Sequence, residues 1–74
     1  MVRDINSLRK ELSKLPKLDY VHAINALNIM SSGFNIVVKR VAKARVLMYY
    51  SKLLKENSDK KTKLKHVKKL LDKV

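Results

Sequence analysis

Apolar residues recur three and four positions apart along this 74-residue chain, and no stretch alternates as a strand does. That period of about 3.6 residues restricts the chain to amphipathic helices. Ile5, Leu8, Leu12 and Leu15 mark a first helix near 4–15, with Asp4 able to cap its first turn and Pro16 displacing Leu15 from helical geometry. Asp19 is the expected N-cap of a second helix near 19–31, in which Tyr20, Ala23, Ile24, Leu27 and Met30 share a face. The stretch SSGF then interrupts, with Ser31 and Ser32 as cap candidates and the only glycine, Gly33, suited to the positive φ that closes a helix. A third helix is expected near 34–55. After the polar break ENSDKKT, a fourth is expected near 58–73, with Ser58 or Asp59 at its start. The fold class is therefore all-α: a single four-helix domain over residues 1–74, ending in a basic amphipathic helix.

The third helix carries a conflict. Phe34, Val37, Val38, Val41, Ala44 and Met48 cluster on one side of its first half, opposite Lys39, Arg40 and Lys43. In its second half Val46, Leu47, Tyr50, Leu53 and Leu54 occupy the direction the early cations held, and Arg45, Lys52 and Lys55 lie on the former apolar side. Such a helix bends or packs on two different neighbours. A chain this short buries only about 60% of its unfolded surface, and it has no cysteine for a disulfide or thiolate metal site, so a partner is a natural source of stability. Val46, Leu47, Tyr50, Leu53 and Leu54 are accordingly expected to form an interface in a homo-oligomer. The competing expectation is that the fourth helix covers them within one monomer.

Charge points to function. Eighteen Lys and Arg oppose six Asp and Glu, for a net charge of +12 and a pI near 10.3. Residues 1–33 are close to neutral. Residues 34–55 hold six cations and no acid, and the terminal KKTKLKHVKKLLDKV holds seven lysines and one acid. In that last stretch Leu64, Val67, Leu71 and Val74 fall on a narrow face, while like charges such as Lys61 and Lys65 repel at i,i+4. A solubilising tail would not need the leucine spacing, and a purely structural helix would not need seven lysines.

Polyanions are the natural partners of such a surface. A non-catalytic, largely sequence-nonspecific nucleic-acid-binding function is expected, with phosphate contacts from Lys39, Arg40, Lys43, Lys60, Lys61, Lys63, Lys65, Lys68, Lys69 and Lys73. Fourteen lysines against four arginines favour point-charge contacts over bidentate reading of guanine. Duplex DNA is favoured over RNA because no aromatic platform is evident; Tyr49 or Tyr50, set among cations, could stack on a base, but core or dimer contacts are the favoured reading of both. One alternative is a basic subunit that meets an acidic protein in a larger protein or ribonucleoprotein assembly. Another is a membrane-surface protein, disfavoured by the absence of Trp and the single Phe.

A helix-turn-helix about Gly33 fits poorly, because positions the motif needs apolar fall on Asn28, Ser32 and Lys39. His22 and His66 lack a neighbouring nucleophile or second ligand at helical spacing, and there is no glycine-rich phosphate loop, so no enzymatic activity, metal or cofactor is expected. The opening MVRDINSLRKEL has no apolar core of a secretory signal, and no run approaches the roughly 18–20 apolar residues of a membrane span, so a soluble intracellular protein is expected.

Overall fold

Asp4 begins the first helix: its side chain accepts a hydrogen bond from the Ser7 backbone N–H at 2.8 Å, meeting one of the orphan donors of the first turn. The computed structural model describes residues 4–33 and 35–73, and Phe34 and Val74 lie outside the described residues, as do residues 1–3. Among the described residues there are four helices and no strand: α1 (Ile5–Leu12), α2 (Lys17–Ser31), α3 (Ile36–Leu54) and α4 (Lys60–Asp72). The all-α class expected from apolar spacing is what the chain adopts.

The helix ends differ from expectation for local reasons. Helix α1 stops at Leu12 rather than Leu15, and the chain tightens through Lys14 N–H to Glu11 and Leu15 N–H to Leu12 carbonyl bonds before Pro16. The proline excludes its predecessor from helical geometry and then starts α2 itself: its carbonyl accepts from Tyr20 N–H at 2.9 Å. Asp19 is thus no N-cap. It sits in the first turn of α2, where a carboxylate favours the helix dipole. Ser31 and Ser32 do not cap α3 either, because their hydroxyls donate backward to the Leu27 and Ile29 carbonyls and close α2. Gly33 takes φ +79°, and Asn35 caps α3 by accepting from Val38 N–H at 3.0 Å. Asp59 occupies the start of α4 without a side-chain cap bond, and α4 begins at Lys60.

The core draws on every helix. Leu8 and Leu12 from α1, Ala23, Ala26, Leu27 and Met30 from α2, Ala42, Val46 and Tyr50 from α3, and Val67 and Leu71 from α4 are buried together, with Leu15 from the turn. The most extensive packing is α2 on α3, where three alanines allow the backbones to approach closely. Helix α4 runs back along α3 and α1 closes the remaining side.

The packing of α3 reverses the sense of its face conflict. One line, Ala42, Val46 and Tyr50, turns inward over the middle of the helix, so the second-half apolar residues join the core of the single chain. Val46 and Tyr50 are fully enclosed, and Leu47, Leu53 and Leu54 pack half-buried against the same cluster. Within one chain the core thus takes up Val46 and Tyr50, while Leu47, Leu53 and Leu54 keep part of their surface outside it. The first-half stripe is what remains outside: Val37, Val41 and Met48 are 66%, 52% and 47% exposed.

Candidate nucleic-acid interface

Helix α4 is anchored by Val67 and Leu71, with Leu64 and Leu70 half-buried beside them. Residues Lys61, Lys65, Lys69 and Lys73 are exposed and spaced at i,i+4, so they climb the helix in steps of about 6 Å, centred roughly 160° from the buried pair. No acid lies among them except Asp72. Lys68 is also exposed, on the side toward α3, and Lys65 and Lys68 line a groove of about 390 Å³ with Ala44, Leu47, Met48 and Leu64. Exposed Lys63 falls on the other flank, about 120° from Lys69, and Lys60 is half-buried at the start of the helix.

The three cations expected on α3 gather elsewhere. Lys39, Arg40 and Lys43 line a cavity of about 490 Å³ with Met30, Ile36, Leu71 and Asp72, where the beginning of α3 meets the end of α4. Lys43 donates to the Asp72 carboxylate across 29 residues of sequence, so its charge is already met. Lys39 is half-buried and Arg40 exposed. The ten expected contact residues therefore do not form one patch. An outward lysine ladder on α4 and a smaller cluster on α3 are separated by the Lys43–Asp72 pair.

Aromatic rings offer little to a base. Tyr50 is buried, and burial pushes its phenol above the ordinary range, with the charge of Glu11 adding to the effect. Tyr49 is half-buried, stacked on His22 with ring centroids 6.4 Å apart, and the Lys52 ammonium lies 5.4 Å from its centroid. Asn28 and Ser32, which a helix-turn-helix would bury, are exposed.

Asp72 is not expected from the sequence as a partner for Lys43, and the expected phosphate contacts leave out the exposed cations Arg45 and Lys52. Asp72 is the only acid of the last fifteen residues, which is itself a signal for a pair. Arg45 and Lys52 share a side of α3 with the first-half apolar stripe, and become conspicuous once that side faces outward. Among the described residues, no group of three or more His, Cys, Asp or Glu side chains assembles to hold a metal, and no helix is long and apolar enough to cross a membrane. Comparison of the chain with protein-family models, curated proteins and solved structures yields no match.

Proposed function

We propose that the protein binds nucleic acid, duplex DNA in preference to single strands, by phosphate neutralisation without reading base sequence. The observation that carries this reading is the ladder Lys61, Lys65, Lys69 and Lys73, held outward by the docking of Val67 and Leu71. Along its span of about 18 Å a duplex carries roughly ten phosphates over both strands, more than four lysines can neutralise. The ladder is self-repulsive: each i,i+4 lysine pair opposes the helix by about 0.2–0.5 kcal/mol. A polyanion relieves that repulsion and releases its own counterions. Duplex is favoured because no tyrosine is exposed and Tyr49 is already engaged by His22 and Lys52.

The test is a mobility-shift titration on duplex and single-stranded probes over a salt series, with wild type and a Lys61→Gln, Lys65→Gln, Lys68→Gln, Lys69→Gln variant. Affinity should fall alike for all duplex sequences, and the slope of log affinity against log salt should flatten by about 0.9 for each phosphate that is no longer neutralised. Circular dichroism should show the helices retained. Unchanged affinity and slope in a folded variant would remove α4 from the interface.

A further inference from the structure

Val37, Val41, Ala44 and Met48 repeat at four, three and four along α3, the spacing of a helix-docking seam, and all four are exposed. The ridge they form is about 17 Å long and stands between two grooves. One, of about 380 Å³, lies against α2 and is lined by Ile29, Val38 and Arg45 among others. The second is the α3–α4 groove with Leu47, Leu64, Lys65 and Lys68. A ridge with a groove on each side is the relief into which the side chains of another helix interdigitate. Cations stand on both borders, Arg40, Arg45 and Lys52 on α3 and Lys65 and Lys68 on α4, with the polar His22 and Asn25 on the α2 side. No carboxylate occurs between Asp19 and Glu56.

We propose that this outer ridge of α3 docks an acidic amphipathic helix of a partner protein. Charge complementarity decides among the occupants. A second copy would bring the same Arg40, Arg45 and Lys52 against their equivalents, with no acid on α3 to meet them, and like charges across a helical seam oppose pairing. Nucleic acid meets the cations but cannot cover Val37, Val41 and Met48. A bilayer meets both, yet the flanking grooves call for protruding knobs rather than a flat interface. A partner helix of about four turns, apolar at i, i+4, i+7 and i+11 and carrying Glu or Asp beside that stripe, satisfies every feature of the surface. The inference shares Lys65 and Lys68 with the nucleic-acid reading, but it rests on the apolar ridge of α3, which that reading does not use.

The probe is a fluorescein-labelled 18-residue peptide with leucines at i, i+4, i+7 and i+11 and glutamates flanking them, compared with a scramble of identical composition. Fluorescence anisotropy is measured at about 150 mM salt, where exposed charge alone is largely screened beyond about 8 Å. The amphipathic peptide should bind at least tenfold more tightly than the scramble. The substitutions Val41→Ser and Met48→Ser, which leave net charge unchanged, should abolish that tenfold preference while duplex DNA affinity stays within threefold. Equal affinity for both peptides would overturn the proposal, and this wild-type comparison depends on no variant. Sedimentation of the wild type as a dimer that the double variant dissociates would assign the ridge to a second copy instead. Binding to phosphatidylserine vesicles that the double variant loses, without a change in peptide affinity, would assign it to a membrane.

Discussion

Leu71, in the last turn of α4, is 2% exposed, and with Val67 it holds the lysine-bearing helix against α3. Replacing it by alanine removes three buried carbons at a site with no compensating polar contact. A buried Leu→Ala change costs about 2–5 kcal/mol, and Leu71 borders the cavity lined by Met30, Ile36 and Lys39, where less packing is lost, which places this one near the lower end, about 2.5 kcal/mol. At roughly 0.05–0.15 kcal/mol per residue, a domain of this length has only about 4–11 kcal/mol in total. The loss is thus a large share of the whole. For a domain of this size it corresponds to a fall in Tm of roughly 10–20 °C. Thermal and urea unfolding followed by circular dichroism at 222 nm would measure it, with Val41→Ala as the control. Val41 is 52% exposed and should change stability by no more than about 0.5 kcal/mol. If both variants matched the wild type, α4 would not belong to the cooperative core, and the outward aim of its lysines would lose its structural cause.

Lys55 ends α3 at φ 53°, ψ −128°, a backbone conformation natural only to glycine, so Lys55→Gly should raise stability by about 1 kcal/mol and Tm by about 4–8 °C; a lower Tm would show that the side chain itself stabilises the turn. Asn35→Ala removes the cap on Val38 N–H and should cost about 0.5–2 kcal/mol in urea unfolding, with Asn35→Asp retaining most of the stability. Tyr50 has its pKa raised by burial, so the folded chain keeps a proton that the unfolded chain releases; its contribution is whole below the ordinary phenol value of about pH 10 and is lost as pH rises through the folded value. Tyr50→Phe should therefore resemble wild type at neutral pH and lose less stability above about pH 10, whereas parallel losses would indicate that another group controls the alkaline limb.

Helix existence was legible because it rests on local physics. Three-and-four spacing, Asp4 ahead of Ile5, the single proline and the positive φ at Gly33 depend on neighbours a few residues away. The helix ends were less legible because caps compete at close quarters. Asn35 outcompeted two serines whose hydroxyls were taken by carbonyls behind them, and Pro16 began α2 ahead of Asp19.

Which face of α3 turns inward was decided only by tertiary structure. By apolar content alone, the stripe with Val37, Val41 and Met48 competes well with the line through Ala42, Val46 and Tyr50. A helix packed on α2 and α4 from one side buries one line, and the line through Ala42 lets α2 approach closely over Ala23 and Ala26 while keeping Val46 and Tyr50 in the same core. The lysine field of the last fifteen residues could be read from composition. That Lys43 is satisfied by Asp72 while Lys61, Lys65, Lys69 and Lys73 stay clear of the core could not, because it depends on how α4 folds back along α3. Charge density is a property of the chain, but its direction is a property of packing, since a side chain faces outward only where another helix has claimed the opposite side.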